Sequence, residues 1–352
     1  MKQYKIKYFA ICLILSVILN VFMLDKTVVS ADNSSEIVID YESGRILYAN
    51  NENQKRLIAS TTKIATCITA LENCDIEKQV TIKNEWCGIE GSSVYLKAGQ
   101  KFTLEQLLHG LMLRSGNDCA VAIANTVSKN QSEFCDLMNQ TAQKAGAQNS
   151  NFCNPHGLDD KEHFSTAKDL ALITKYALKN KNFKKIVSTK KYEFNSGEQS
   201  FVWYNKNKLL ANNEHAIGVK TGYTKKSGRC LVSAFNYNEQ ILICVLLNCP
   251  STYERTEELI DCVREKYEYY PVFKCGECVA TYTLENGSSL PCYVKQDMYY
   301  PLTNEEVDKL KYVVKFDEKI KKPVKFEQKV GTIQILLEKQ LLFEQKIYTI
   351  LE

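Results

Sequence analysis

Apolar and polar positions change rhythm several times along the chain, and each change marks an element. Residues 36–40 (Glu-Ile-Val-Ile-Asp) and 46–49 (Ile-Leu-Tyr-Ala) are short β-forming runs on either side of Ser43-Gly44-Arg45, which predicts a hairpin. From about Ser60 the apolar residues Ile64, Cys67, Ile68 and Leu71 recur at helical spacing, so a helix with one buried face is expected. Residues 104–125 read as two helices separated by the polar break Arg114-Ser115-Gly116-Asn117. Residues 165–180 form another amphipathic pattern, entered through the turn signal Asn154-Pro155-His156-Gly157. The rhythm then becomes strand-like at 217–223, 230–235 and 241–247, with turns rich in Lys, Ser, Gly and Asn. The last of these is continuously apolar, as a covered central strand should be. Residues 251–269 read as helical again.

Strands at both ends with helices between them predict an α+β fold, an antiparallel sheet flanked by helices and closed by the two ends of the domain. Pro271 marks a boundary. Beyond it short apolar runs at 279–284, 290–294, 312–316 and 331–337 predict a small C-terminal β-sandwich domain over 270–352. Residues 333–351 fit a helical stripe almost as well. The opening of the chain is different in kind. Lys2, Lys5 and Lys7 precede an apolar run at 8–24, and Val29-Ser30-Ala31 supplies small residues for cleavage. That is the pattern of a secretory signal over 1–31, which leaves 32–269 as the main domain and implies an exported, extracytoplasmic protein. The rival reading of the same run is an uncleaved N-terminal anchor.

Composition refines this only slightly. The 352 residues are 45% hydrophobic and 24% charged, and the net charge of +4 is spread without a basic block, so no nucleic-acid partner is called for. The 14 cysteines are unusual for an exported chain. With Cys12 in the leader an odd number remains, scattered without a disulfide rhythm, and they read as small buried hydrophobes. Cys275-Gly276-Glu277-Cys278 with Cys292 lacks a fourth ligand and a nearby histidine, so neither metal nor cofactor is expected.

Candidate chemistry begins at Ser60-Thr61-Thr62-Lys63. A serine hydroxyl is a poor nucleophile and needs a base within hydrogen-bond reach. Residues i and i+3 on a helix share a face with Cβ atoms about 5–6 Å apart, which sets the Lys63 amine over the Ser60 oxygen. The helix start adds free N–H groups and partial positive charge where an oxyanion would form. Ser-x-x-Lys by itself is common, and Ser165-Thr166-Ala167-Lys168 and Ser188-Thr189-Lys190-Lys191 repeat it here. Only Ser60 is followed by companions in order. In Ser115-Gly116-Asn117 the serine can relay a proton to a leaving amine, and the asparagine can hold Lys63 and a substrate amide; an N-cap is the plain alternative. Lys220-Thr221-Gly222 closes an apolar approach and belongs on an edge strand. There Lys220 and Thr221 can hold a carboxylate, and Gly222 admits a substrate backbone.

Together these three motifs resemble those of the penicillin-recognising serine enzymes. The stretches Gly91-Ser92-Ser93-Val94-Tyr95-Leu96, Leu111 to Asp118, Asn154-Pro155-His156-Gly157-Leu158 and Lys220-Thr221-Gly222-Tyr223-Thr224 are similar to the low-molecular-mass D-alanyl-D-alanine carboxypeptidases. The resemblance implies a β-lactamase/transpeptidase-like fold and removal of the terminal D-alanine from peptidoglycan stem peptides. It also implies covalent capture of β-lactams. In its terms Ser60 is acylated, Lys63 accepts the proton, Ser115 and Asn117 form the second motif, and Lys220 and Thr221 bind the terminal carboxylate with Arg255 helping. The N–H groups of Ser60 and Tyr223 would make the oxyanion hole. A β-lactamase shares the motifs, but the serine class adds a glutamate in a Glu-x-x-Leu-Asn loop. Glu133, Glu162, Glu193, Glu198 and Glu214 match no such pattern, and Gly116 stands where those enzymes carry aspartate. A catalytically silent wall-associated protein of the same fold is the remaining alternative. Many relatives finish in an amphipathic anchoring helix. The last residues here read instead as strands, so a membrane tie is expected only from an uncleaved N-terminus.

Overall fold

The computed structural model describes residues 33–349 apart from 239, 285–286 and 318–326; the expected signal at 1–31 lies outside the described residues. Its central element is a sheet built from the two ends of the first 250 residues. Ser35–Asp40 (β1) and Ile46–Asn50 (β2) form the expected hairpin. Gly44 sits at φ +75° in its turn, a conformation glycine adopts without strain, and Asp40 Oδ2 accepts the Ser43 N–H at 2.7 Å. Two short strands, Gln79–Thr81 (β3) and Lys101–Thr103 (β4), pair with each other, as do Lys191–Ser196 (β5) and Gln199–Tyr204 (β6). Ala216–Thr224 (β7), Gly228–Tyr237 (β8) and Gln240–Leu247 (β9) then complete a five-stranded antiparallel sheet in the order β2-β1-β9-β8-β7. The N-terminal β1 lies against the C-terminal β9, so every position of β1 is buried, and β7 is left at the edge.

The helices are Lys63–Asn73 (α1), Leu104–Leu113 (α2), Asn117–Val127 (α3), Gln131–Lys144 (α4), Ala167–Leu178 (α5) and Lys181–Ser188 (α6). A single turn, Leu209–Asn212 (α7), and Thr252–Lys266 (α8) follow. Strand alternation sorts them between the faces. Ile241, Ile243, Val245 and Leu247 of β9 join the main core with α1 to α6, while Leu242, Cys244 and Leu246 turn to the other face, where α8 packs. The α1 helix departs from the one-faced pattern expected of it. Its first eight residues are all buried, because it runs through the middle of α2 to α6. Small side chains at Ala65, Thr66, Cys67, Thr69 and Ala70 let those neighbours close in all round.

The hairpin β5–β6 is an element the sequence reading does not expect. Tyr192 and Phe194 alternate on one strand and Phe201 and Trp203 on the other, about Ser196-Gly197, and that is the signal that marks it. Their rings cluster with Phe102 at centroid distances of 4.8–6.0 Å. The helix expected over 251–269 stops at Lys266. Pro271 lies inside Glu268–Phe273 (β10), paired to Met298–Leu302 (β13).

Between and after these come Cys278–Thr283 (β11), Ser289–Tyr293 (β12), the turn Asn304–Val307 (α9), Leu310–Phe316 (β14), Lys329–Leu337 (β15) and Gln340–Thr349 (β16). The second sheet runs β11-β12-β16-β15-β14, so the helical alternative for 333–351 is overturned as far as Thr349. Val272, Phe273, Cys292, Val294, Tyr300, Leu302, Val330, Ile333, Ile335 and Ile347 form a second core of their own. Arg45, in the first hairpin's turn, reaches across to it. Its guanidinium donates to Pro301 O at 2.5 Å and to Glu306 Oε1 at 2.6 Å, and lies over the rings of Tyr267 and Tyr300.

The described cysteines are all unpaired, with Cys67, Cys119, Cys230 and Cys244 buried in the sheet and helix core. Cys275 and Cys278 are exposed whereas Cys292 is buried, and no three His, Cys, Asp or Glu side chains among the described residues converge to hold a metal.

Candidate active site

Ser60 does not open an α-helix. It lies in a 3-10 turn, Ala59–Thr62, and α1 begins only at Lys63. The tighter turn serves the pair better, since three residues per turn set side chain i+3 directly over i. Lys63 Nζ is 3.0 Å from Ser60 Oγ. The turn is gripped from two sides by glycines. A Cβ on Gly222 would stand 3.1 Å from Ser60 N and 3.2 Å from both Ala59 Cβ and Ile58 O. A Cβ on Gly157 would stand 1.9 Å from Ala59 O. Between them Ala59 is held at φ +47°, left-handed backbone that an alanine adopts only under constraint.

Lys63 is fully buried and has three hydrogen-bond partners: Ser60 Oγ, Asn117 Oδ1 at 2.7 Å and His156 O at 2.6 Å. No carboxylate among the described residues pairs with it. Burial and the charge of Lys220 hold its pKa well below the usual lysine range. A neutral amine has two N–H bonds and one lone pair. Asn117 Oδ1 and the His156 carbonyl can only accept, so they take both N–H bonds. The lone pair is left for the one partner able to donate, the Ser60 hydroxyl. The Asn117 amide is oriented for this by Nδ2, which donates to Glu90 O at 2.5 Å.

The second motif sits at the α2–α3 break. Ser115 has φ +64° and is nearly buried, and Asn117 starts α3 behind the N-cap Gly116. The structure gathers Ser60, Lys63 and Asn117 into one hydrogen-bonded set but gives the Ser115 hydroxyl no partner among the described residues. Asp118 ties the neighbouring wall down. Its carboxylate accepts from Ser93 Oγ at 2.6 Å and from the N–H groups of Val94 and Leu96 at 3.2 and 3.0 Å.

The third motif lies on β7, the expected edge strand. Lys220 is 2% exposed, donates to Thr221 O at 2.9 Å, and is pushed down to about 7 by burial and by Lys206. Gly222 abuts the nucleophile turn, as shown above. Tyr223 is exposed, 6.0 Å beneath the Arg229 guanidinium, and Thr224 donates to Asp159 Oδ1 at 2.8 Å.

Two features depart from expectation. Arg255 is not brought to the cleft. It lies on α8, across the sheet from α1, where Glu36 takes its guanidinium at 2.7 Å and Tyr48 and Glu258 take the rest. Held by Glu36, Glu258 and Tyr48 on that side of the sheet, its charge is committed away from the nucleophile. Lys206, which no motif marks, is at the site instead. Its Nζ is 3.4 Å from Ser92 Oγ, its charge depresses both Lys63 and Lys220, and no carboxylate among the described residues pairs with it. Lys63, Lys206 and Lys220 thus converge without a counter-ion among the described residues, a charge arrangement suited to an anion.

Comparison with known proteins addresses the chain as a whole. A family model described as D-alanyl-D-alanine carboxypeptidase matches residues 24–251, and one described as penicillin-binding protein 5, C-terminal domain, matches 267–351. The chain is 30% identical to the D-alanyl-D-alanine carboxypeptidase DacA of Escherichia coli K12, covering 95% of this chain and 86% of that one. It is 28% identical to DacF of Bacillus subtilis, named as the same activity, over 89% and 84%. Among solved structures, penicillin binding protein 5 from Haemophilus influenzae superposes with a TM-score of 0.75 at 25% identity over 92% of this chain and 98% of that one. The D-alanyl-D-alanine carboxypeptidase DacD from Francisella tularensis gives 0.71 at 26% identity over 94% and 95%.

Proposed function

The chain belongs to the D-alanyl-D-alanine carboxypeptidase family of low-molecular-mass penicillin-binding proteins, and on that premise we propose how its own residues perform the reaction. It is a serine-type carboxypeptidase of β-lactamase/transpeptidase-like fold. The observation that carries the residue assignment is the buried, uncompensated Lys63, whose lone pair is left for the Ser60 hydroxyl.

A stem peptide ending in D-Ala-D-Ala docks along the free edge of β7, its terminal carboxylate drawn to Lys220 and Thr221 with Lys206 in place of Arg255. Lys63 takes the Ser60 proton as Oγ bonds to the carbonyl carbon of the penultimate D-alanine. The N–H groups of Ser60 and Tyr223 receive the oxyanion, and Gly222 lets β7 come close enough for that. On collapse the C–N bond breaks, and the amine of the terminal D-alanine takes the proton from Lys63 through the unengaged Ser115 hydroxyl. Water then attacks the ester, Lys63 takes its proton, and Ser60 leaves protonated. A β-lactam acylates Ser60 by the same first steps. Asp118 and Asp159, carboxylates of the site's walls, accept from Ser93, Val94 and Leu96 and from Thr224 respectively.

Peptidoglycan as substrate places the work outside the cytoplasmic membrane, with residues 1–31 as the export signal, 32–269 as the peptidase domain and 270–352 as a β-rich appendage. Incubation with a pentapeptide ending in D-Ala-D-Ala should give a product lighter by one alanine in mass spectrometry. Ser60→Ala should leave the peptide intact and take no label from fluorescent penicillin. A labelled Ser60→Ala protein would overturn the assignment.

A further inference from the structure

Beneath the nucleophile turn, residues 152–165 form no helix and only isolated bridges, yet the first helix binds them repeatedly. Thr66 donates to Pro155 O at 2.6 Å, Lys63 to His156 O at 2.6 Å, and Thr62 Oγ1 lies 2.7 Å from His163 Nε2. The second of these contacts belongs to the reactive set. The third has no part in the chemistry described above, although it joins two fully or almost fully buried side chains.

The direction of that bond follows from the other side of the ring. His163 Nδ1 is 3.2 Å from the Cys153 N–H, which can only donate. Nδ1 therefore carries no proton, and a neutral imidazole then holds its proton on Nε2. His163 donates to Thr62 Oγ1. Thr62 is the N-cap of α1, where a threonine hydroxyl ordinarily accepts from the helix's own first N–H groups. Here it makes no such bond, and the 3-10 turn before it has no side-chain cap either. The hydroxyl that would have capped the helix is instead fastened to His163. It is also the residue between Ser60 and Lys63 that packs against Gly157, whose Cβ would stand 2.8 Å from Thr62 Oγ1.

We propose that His163 is a positioning residue for acylation, donating to Thr62 and so holding the strained Ala59–Thr62 turn in the register that sets Ser60 Oγ against Lys63 Nζ. This rests on the reading of Ser60 and Lys63 as nucleophile and base. His163 touches neither the substrate nor the reacting atoms. Its effect belongs to the rate of the chemical step, because a displacement of about 1 Å in a reacting group can cost on the order of 100-fold. Carboxylate binding, on β7, is outside its reach.

The test uses Thr62→Val, which removes the acceptor at nearly constant shape, together with His163→Asn and His163→Gln. An asparagine amide overlays Nδ1 only, whereas a glutamine amide nitrogen reaches the place of Nε2 and can still donate. Acylation by fluorescent penicillin and turnover of the D-Ala-D-Ala pentapeptide are measured on each, beside wild type and Ser60→Ala. Thr62→Val and His163→Asn should acylate about 10- to 100-fold more slowly with KM changed less than about twofold, His163→Gln should recover most of the rate, and the double variant should be no slower than the worse single one. Wild-type acylation rates in Thr62→Val, or a loss that appears in KM rather than in the rate, would overturn the role of His163 alone. A wild-type protein that takes no label, or a Ser60→Ala protein that does, would overturn the nucleophile reading beneath it.

Discussion

Lys63 and Lys220 are asked for opposite charge states in one cleft. Lys63 works as a base only when neutral, and burial with the charge of Lys220 favours that state. Lys220 attracts a carboxylate only when protonated, and burial with the charge of Lys206 lowers it to about 7. A lowered lysine pKa means that charge is present below the folded value and lost as pH rises through it. In the free enzyme the carboxylate-binding charge therefore fades above about pH 7, while the base is gained as pH rises through the lowered pKa of Lys63. In the profile of kcat/KM for a D-Ala-D-Ala peptide, loss of the Lys220 charge should appear as a falling limb near neutrality. Lys220→Arg keeps its charge at every accessible pH, so the falling limb should move to higher pH whatever happens to the maximum. A limb unmoved in that variant would assign it to another group. The same burial costs stability. The unfolded chain binds protons that folded Lys63 and Lys220 release, so stability should rise with pH between about 7 and the ordinary lysine range.

Among the elements, the 3-10 turn at Ala59–Thr62 and the edge strand β7 depend on each other, and Gly222 is the point where they meet. A methyl group there meets Ser60 N, Ala59 Cβ and Ile58 O at 3.1–3.2 Å, tight enough to shift the turn by a few tenths of an ångström. Gly222→Ala should fold with a loss of about 1–3 kcal/mol, as for moderate overpacking, while acylation falls by as much as about 100-fold. Thermal melting and penicillin labelling of one preparation separate the two effects; labelling at the wild-type rate would show that the contact does not set the oxyanion hole. Neither the turn nor its grip was readable from spacing alone. A Ser-x-x-Lys at a helix start looks the same whether the first turn is α or 3-10. The β5–β6 hairpin, by contrast, was readable in the alternation of Tyr192, Phe194, Phe201 and Trp203, beside lysines that draw the eye to polarity.

Over the full length of the fold, Arg45 ties the first hairpin to the C-terminal β-rich region through Pro301 O, Glu306 and the Tyr267 and Tyr300 rings, and Tyr269 donates to Asp40 Oδ1 at 2.5 Å beside it. Arg45→Ala removes two charge-assisted hydrogen bonds in a partly buried place and should cost about 1–3 kcal/mol. The cleft is on the opposite edge strand, so pentapeptide turnover should be kept while hydrogen exchange quickens in β10 and β13. Turnover falling in step with the exchange would mean that the two regions are coupled through more than this joint.

Local pattern was enough for the strands β1 and β7 to β9, for most of the helices, and for singling out Ser60, Lys63, Ser115, Asn117, Lys220, Thr221 and Gly222 as candidates, because periodicity and motif order are properties of neighbours in the chain. Everything that depended on which surfaces meet lay beyond it. Arg255 has a cation's freedom in the sequence, but a buried charge must be paired, and its partner Glu36 stands 219 residues away. Lys206 and His163 carry no motif at all. They acquire their places because burial strips the water from lysines and imidazoles and leaves their charge and protons to whatever the folded chain has brought alongside. The proposed role of Ser60 could be read from its order among motifs, and the readiness to react proposed for it rests on Lys63 being buried without a counter-ion among the described residues, a condition that only packing creates.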